Sequence, residues 1–235
     1  MAVDEIVRWG GDRLRIGRWQ GEGDIAHVAP VPGSPPSPDA VNATSVALAG
    51  RGFRRVITSA LTPPEQSPFL AAGFEVHEQL HLLAHDLRHL PEAPAGVGLR
   101  RARRGDVDRV LDIDHRAFRP FWRLDQDGLR DALRATPSSR FRVATDRLPV
   151  GYAVSGRAGP AGYLQRLAVD PDEQGRGLGT ALVLDGLDWM RRRGARRALV
   201  NTQLDNENAL QLYLHLGFAA EPHRLAVLRR ELSGA

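Results

Sequence analysis

A short apolar segment followed by alternating glycines constrains this chain more than any other feature of its sequence. Leu164, Leu167 and Val169 form an apolar run, and this pattern predicts a short buried strand. Pro171 cannot donate to a strand ladder, so we expect the strand to stop just before it. Residues 174–179 carry glycine at every second position, and a long helical pattern follows them.

Alternating glycines at the start of a helix let the backbone turn tightly and point several N–H groups into one concavity. The positive end of the helix reinforces this concavity, so the turn predicts a pocket for phosphate oxygens. The alternative is an ordinary tight turn. Other nucleotide loops do not fit, because no Lys-Ser or Lys-Thr follows the glycines and their spacing is not that of the dinucleotide fingerprint.

The stretch resembles the acyl-CoA loop of the GNAT superfamily of N-acyltransferases. That family carries Gln/Arg-x-x-Gly-x-Gly/Ala after a strand, and Gln174, Gly177 and Gly179 fill these positions. A second motif of the family follows in the same order: residues 206–213 read Asn-Glu-Asn-Ala-Leu-Gln-Leu-Tyr, and residues 216–218 read Leu-Gly-Phe. With two motifs in the family's order, the C-terminal half is identified as a member of this superfamily.

The resemblance implies an α/β (α+β) GNAT fold, with a mixed central sheet flanked by helices. A weak internal repeat adds to this prediction, because residues 52–87 parallel residues 194–232, each reading as strand, helix, Gly-Phe turn and strand. We therefore expect a tandem arrangement, with a truncated, degenerate GNAT-like unit at residues 1–95 and an N-acetyltransferase domain at residues 96–235. Pro91, Pro94 and Gly96 mark the boundary.

The N-terminal unit lacks the residues that the family uses for its cofactor. Phe69 stands where Tyr213 stands in the second unit, and a phenyl ring has no O–H to donate. Residues 62–64 read Thr-Pro-Pro in place of the Asp-Asn at 205–206, and no glycine-rich loop precedes them. We expect this unit to hold no acetyl-CoA and to serve in packing or as a wall of the substrate cleft.

The sequence pattern also predicts the individual elements. A hairpin is expected over residues 6–19, a loop over 21–38 and a helix over 39–48. In the C-terminal domain we expect strands at 98–102, 141–145, 150–155, 197–204 and 224–230, and helices at 106–118, 125–135, 179–193 and 206–216.

The resemblance implies a binding site for acetyl-CoA as the acyl donor. Backbone groups at the end of the central strand would pair with the pantetheine arm as a further strand would, and the Val169 N–H would face the thioester oxygen. Asn206 would cap its helix, hydrogen-bond the pantetheine, or do both. For Arg176, expected near the phosphates, the alternative is a solvated loop arginine. The expected cofactor-binding residues are Leu167, Ala168, Val169, Gln174, Gly175, Arg176, Gly177, Leu178, Gly179, Thr180 and Asn206.

Tyr213 is the expected catalytic residue, because the family's tyrosine at this position lies near the CoA sulfur. A positioned phenol can protonate a leaving thiolate, and such transfers are typically worth ~10²–10⁴-fold in rate. The alternative is a core tyrosine behind the Gly-Phe turn.

The sequence offers no clear general base. Gln165 and Arg166 occupy the central strand, and neither is a base at neutral pH. His115 has a suitable intrinsic pKa, although a lone histidine on an amphipathic helix is more often inert. A water relay or capture of the neutral fraction of the amine is an equal alternative. The aromatic residues at 118, 121 and 122 would shape an acceptor pocket or simply pack in the core.

Composition excludes several other classes of function. The chain has 235 residues, 42% of them hydrophobic and 26% charged, as expected for a globular protein with a buried core. It contains no Cys, which excludes disulfides and thiolate metal sites, and no metal is expected. It shows no signal peptide or membrane-length apolar run, so we expect a cytoplasmic protein without a membrane partner.

Every basic residue is Arg, which explains a pI of about 10.4 at a formal net charge of only +4. The arginines are spread along the chain among Asp and Glu, which disfavours a nucleic-acid surface and fits a bias in Arg usage. The sequence therefore predicts an acetyl-CoA-dependent N-acetyltransferase acting on a primary amine, on a small molecule or a peptide N-terminus, by direct attack in a ternary complex. The alternative is a non-catalytic CoA-binding regulatory or interaction module.

Overall fold

The computed structural model describes residues 5–20, 23–31, 33 and 35–232. Parts of the predicted loop 21–38 lie outside these residues. The chain forms, in order, β1 (Glu5–Trp9), β2 (Asp12–Arg18), β3 (Ile25–Pro30), α1 (Pro38–Gly50), β4 (Arg55–Thr58), α2 (Pro63–Ala71), β5 (Glu75–His85), β6 (Leu99–Arg101), α3 (Val107–Ala117), α4 (Gln126–Arg134), β7 (Ser138–Asp146), β8 (Leu148–Ala158), β9 (Ala161–Val169), α5 (Leu178–Arg192), β10 (Arg197–Gln203), α6 (Glu207–His215), β11 (Ala219–Ala220) and β12 (Leu225–Glu231).

The chain divides into two compact units. The first comprises Met1–His81, Gln203–Asp205 and Pro222–Ala235, and the second comprises Leu82–Thr202 and Asn206–Glu221. The units thus part within β5, and the last strand of the chain belongs to the first unit. The domain boundary between residues 95 and 96 stays a prediction from the sequence.

The sheet of the first unit has the order β1-β2-β3-β4-β12-β5. The predicted hairpin is confirmed, since β1 and β2 pair antiparallel around Gly10, whose φ of +59° suits glycine. The predicted loop 21–38 is wrong over β3, which runs parallel to β4. Ile25, Ala26 and Val28 are buried there, so the flanking glycines and prolines obscured a core strand.

β12 enters the first sheet between β4 and the beginning of β5. It pairs antiparallel with both strands, through Arg229 opposite Ile57 on one side and Leu225 opposite Leu80 on the other. α1 and α2 cover this sheet with an apolar core that includes Leu14, Val28, Val41, Leu48, Val56, Phe69, Phe74 and Leu228.

The turns that follow α2 and α6 repeat the same local geometry. After α2, Gly73 has φ of +81° and the Phe74 N–H donates to the Phe69 carbonyl at 3.1 Å. After α6, Gly217 has φ of +90° and the Phe218 N–H donates to the Tyr213 carbonyl at 3.0 Å. The internal repeat seen in the sequence therefore has a counterpart in backbone conformation.

The second unit is built on the strand order β6-β7-β8-β9-β10, antiparallel except for the parallel pair β9 and β10. Successive residues of β8 point to opposite faces of this sheet. Tyr152 and Val154 pack in one core with α3 and α4, whereas Ala153 packs in another with α5. The helices and strands predicted for residues 98–216 are found, with their ends shifted by a few residues.

Candidate active site

A cleft of about 690 Å³ opens in the second unit where β9 ends. Its walls come from the end of α3, the end of β9, the glycine-rich turn, the start of α5 and one side of α6. The lining residues are Ala117, Phe118, Leu167, Ala168, Val169, Glu173, Gln174, Gly175, Gly177, Leu178, Gly179, Thr180, Asn206, Asn208, Ala209 and Leu212.

Among the described residues, the end of β9 pairs with another strand on one side only. Its pairing with β10 covers residues 161–163, opposite residues 197–199. Its pairing with β8 continues on the other side as far as Val169 opposite Gly151. Leu167, Ala168 and Val169 thus present one backbone edge to the cleft, as a strand does to a strand that is added to its sheet.

Two residues of the glycine-rich turn have a left-handed backbone, a conformation that also occurs in anion-binding nests. Gly175 and Gly177 have φ of +77° and +73°, conformations that side chains other than glycine rarely adopt. Gly177 is the N-cap of α5, and the first amides of an α-helix have no partner within the helix. In a turn that contains such residues, successive backbone N–H groups can point into one concavity, which suits phosphate oxygens.

An ion-pair cluster around the buried Asp170 fixes the end of β9 just before the turn. Asp170 is 1% exposed and receives hydrogen bonds from Arg109 Nη2 and Arg116 Nη1, both at 2.8 Å. Arg116 also reaches Asp172 at 2.7 Å. Because both arginines come from α3, this cluster ties the turn to that helix.

Comparison with known proteins agrees with this geometry. Residues 107–218 match the family described as Acetyltransferase (GNAT) family. Residues 107–218 are a GNAT acetyltransferase domain. The resemblance deduced from the two sequence motifs is thereby confirmed.

The curated relatives are longer than this chain. A mycothiol acetyltransferase of Actinosynnema mirum is 33% identical over 156 residues, which cover 60% of this chain and 52% of that protein. The alignment thus spans about half the length of this curated relative.

Two solved structures extend the likeness to the fold of nearly the whole chain. A tandem GNAT protein from the clavulanic acid biosynthesis pathway has a TM-score of 0.69 at 17% identity, covering 98% of this chain and 82% of that one. A GCN5-related N-acetyltransferase from Kribbella flavida has a TM-score of 0.66 at 17% identity, covering 98% and 90%. The predicted fold class, a tandem GNAT arrangement with a mixed sheet flanked by helices, is confirmed.

In the GNAT domain, the cleft contains all but one of the expected cofactor-binding residues. The exception is Arg176, which does not line the cleft. Its guanidinium instead pairs with Glu173 and reaches Asp146 at 3.4 Å. Asn206 does line it, and its Oδ1 accepts a hydrogen bond from the Ala209 N–H at 3.2 Å, so it caps α6.

Tyr213 lies behind the α6 wall rather than in it. The side chain is 5% exposed, and its ring centroid lies 5.5 Å from that of Phe218. Burial raises the pKa of the Tyr213 phenol well above its ordinary value, and no other group opposes the shift. The phenol is therefore protonated at neutral pH.

Arg166 and His115 stand at positions where the sequence suggested looking for a general base, and both side chains make other contacts. The guanidinium of Arg166 makes two hydrogen bonds to Asp114. His115 Nε2 lies 2.7 Å from the Leu124 carbonyl, so this nitrogen carries a proton. Neither residue lines the cleft. The described residues also contain no group of three or more His, Cys, Asp or Glu suited to a metal ion.

Five residues that line the cleft were not predicted from the sequence: Ala117, Glu173, Asn208, Ala209 and Leu212. Phe118, predicted for an acceptor pocket or for the core, lines the cleft as well. Helical spacing could have identified two of them, because Ala209 and Leu212 follow Asn206 at intervals of three. No spacing of this kind in the sequence identifies the residues at the end of α3, Ala117 and Phe118, that line the cleft. Within the described part of the chain, no helix has the length and apolar character needed to cross a membrane.

Proposed function

We propose that this protein is an acetyl-CoA-dependent N-acetyltransferase that transfers acetyl to a primary amine by direct attack in a ternary complex. One observation carries the proposal: the glycine nest at the start of α5 and the unpaired edge of β9 line the same cleft. A nest accepts phosphate, and a strand edge accepts an amide-bearing chain. Acetyl-CoA has both groups, a pyrophosphate and a pantetheine arm.

The residues of the cleft fit that cofactor. The pyrophosphate would lie at the amides of residues 174–180, where the helix end favours negative charge. The pantetheine amides would pair with Leu167, Ala168 and Val169. Asn206 Oδ1 is engaged in capping α6, so its amide nitrogen is the group left to meet the pantetheine.

The acyl transfer needs a proton donor for the departing sulfur. The amine nitrogen attacks the thioester carbon, and the C–S bond breaks with the electron pair going to sulfur. Tyr213, whose phenol is protonated, supplies the proton to that thiolate. Tyr213 follows Leu212 of the cleft wall and does not itself line the cleft, so the proton would pass through water, and the phenol would regain a proton from the amine nitrogen by the same route.

The described residues that line the cleft do not supply an evident base. Glu173 is the one ionisable side chain among the described residues that line the cleft, and Arg176 pairs with it. The amine would therefore react from its neutral fraction or release its proton to water. The relatives named mycothiol acetyltransferase make mycothiol-related amines the first acceptors to test.

The lack of a base in the cleft also favours a second candidate, a non-catalytic module that binds CoA and regulates or recruits another protein. Calorimetry with acetyl-CoA, followed by a thiol-release assay with a pool of amines and peptide N-termini, separates the two. Binding with amine-dependent thiol release supports the enzyme. Binding without release from any amine supports the module, and no binding contradicts both.

The first compact unit is proposed to hold no cofactor. It carries Phe69 at the position of Tyr213, and its α2 begins after Thr62 with Pro63 and Pro64. Proline has no N–H, so this helix start offers fewer amides to an anion than α5 does.

A further inference from the structure

Phe118 is the one aromatic side chain among the described residues that line the cleft. It follows α3 directly as its C-cap, and its N–H donates to the Asp114 carbonyl at 2.9 Å. Its own carbonyl accepts a hydrogen bond from Arg123 Nε at 3.2 Å. The backbone of this residue is thus fixed on both sides.

Arg166 fixes the Phe118 ring. The guanidinium carbon lies 3.4 Å from the ring centroid, so the two planes are in direct contact. An arginine stacked on an aromatic face gains a cation–π attraction that grows when water is excluded, and the Arg166 side chain is only 12% exposed. The ring therefore has little freedom to turn away.

Asp114 in turn fixes Arg166. This carboxylate is fully buried and accepts hydrogen bonds from Arg166 Nε at 2.8 Å and Nη2 at 2.9 Å. It also accepts from the Tyr152 hydroxyl at 2.5 Å and the Leu124 N–H at 2.7 Å. A bidentate pair with two further donors holds the guanidinium in one orientation.

The position of Phe118 along the cleft follows from the direction of β9. This strand runs toward the glycine nest and ends at Val169, so Leu167 is farther from the nest than Val169. Arg166 precedes Leu167, and Phe118 packs on Arg166. Phe118 thus lines the cleft beside the part of β9 that precedes Val169, and the acyl group of a thioester whose phosphates lie at the nest would extend toward this part of the cleft.

We propose that Phe118 limits the length of the acyl group, and that Arg166 is the positioning residue that holds the Phe118 ring in place. This inference rests on the proposed acetyl-CoA site. A ring that cannot rotate offers a fixed volume beside the thioester, so acetyl fits and each added methylene meets the ring. A difference of one methylene in such a pocket typically changes affinity by about tenfold or more.

Calorimetry with CoA, acetyl-CoA, propionyl-CoA and butyryl-CoA tests the proposal without requiring an acceptor. The wild-type chain should bind butyryl-CoA at least about tenfold more weakly than acetyl-CoA. Phe118→Ala should bind all the acyl-CoAs with similar affinity and leave the affinity for free CoA unchanged. Phe121→Ala is the matched control, because Phe121 belongs to the same segment and does not line the cleft.

Arg166→Lys tests the positioning role, since it keeps a cation beside Asp114 but loses the planar stack and the fork of two hydrogen bonds. It should raise the affinity for butyryl-CoA relative to acetyl-CoA, as Phe118→Ala does, while free CoA binds as before. Equal affinity of the wild-type chain for all the acyl-CoAs, or an unchanged ratio in Phe118→Ala, would overturn the inference. Failure of the wild-type chain to bind free CoA would instead overturn the proposed function.

Discussion

The Tyr213 ring packs against Phe218 with 5.5 Å between centroids, at the turn that ends α6. Phe69 and Phe74 form the equivalent pair in the first unit, with centroids 5.2 Å apart. Both pairs follow the same helix-turn pattern and the same hydrogen bond across the turn. An aromatic ring thus fills this position in both units, and the packing of Phe69 shows that the position can be filled without the hydroxyl that Tyr213 carries.

Replacing Tyr213 by Phe should therefore leave the fold and the affinity for acetyl-CoA nearly unchanged. The chemical step should slow by about 10²-fold, the lower end of what a positioned proton donor contributes. Single-turnover rates with any accepted amine are the right measurement, because product release can mask the chemical step in steady state. Transfer at the wild-type rate would show that Tyr213 is only a core residue.

Replacing Gly177 by Val should abolish binding of acetyl-CoA. The residue has φ of +73°, and a Cβ there would lie 3.3 Å from the Pro94 ring, so the turn must change shape. Gly159→Val is the matched control, because Gly159 also has a positive φ, +56°, but no atom within 4 Å of its Cβ position and no place in the cleft. We expect the control to lose some stability and to bind acetyl-CoA as the wild type does. Retained binding by a folded Gly177→Val would refute the nest as the phosphate site.

One acetyl-CoA should bind per chain. The expected site lies in the GNAT domain, whereas the first unit has Phe69 in place of Tyr213 and two prolines at the start of α2. Titration calorimetry gives the stoichiometry, and Gly177→Val should reduce it from one to zero. A stoichiometry of two, or one remaining site in that variant, would show that the first unit binds the cofactor.

The stability of the second unit should fall when the pH drops below about 6.5, the ordinary pKa of His85. Burial lowers the pKa of His85, against smaller opposing effects of Asp86 and the Leu216 backbone. Its Nδ1 accepts the Leu87 N–H at 2.9 Å, so the neutral ring is the form that fits. The unfolded chain then binds a proton that the folded chain excludes, and stability rises with pH until about 6.5.

Denaturant unfolding of His85→Gln at several pH values checks this expectation. The variant should show a smaller change in unfolding free energy between pH 5 and pH 7, which spans the ordinary histidine pKa of about 6.5. His89→Gln is the control, because it makes the same substitution at an exposed histidine of the same segment. An identical pH dependence in His85→Gln and the wild type would assign the effect to other groups.

The sequence by itself determined the local parts of this protein. Glycine adopts a positive φ without strain, as residues 175 and 177 do, and Asn206 caps a helix with its own side chain. These residues therefore locate the turn and the start of α6 without knowledge of the rest of the chain. The sequence also predicted that the end of β9, at residues 167–169, and Asn206 belong to one site, and both line the same cleft in the structure. Such features depend on residues close in sequence, and a motif records them directly.

Only the tertiary structure decided which distant residues meet. β12 pairs with β4 and β5, about 150 to 170 residues earlier in the chain, rather than remaining with the second unit. Arg166 meets Asp114 across 52 residues, and Tyr213 is buried behind the wall of the cleft. Strand pairing, ion-pair partners and burial depend on the free energy of long-range packing, for which many partners compete, so no local pattern of residues specifies them.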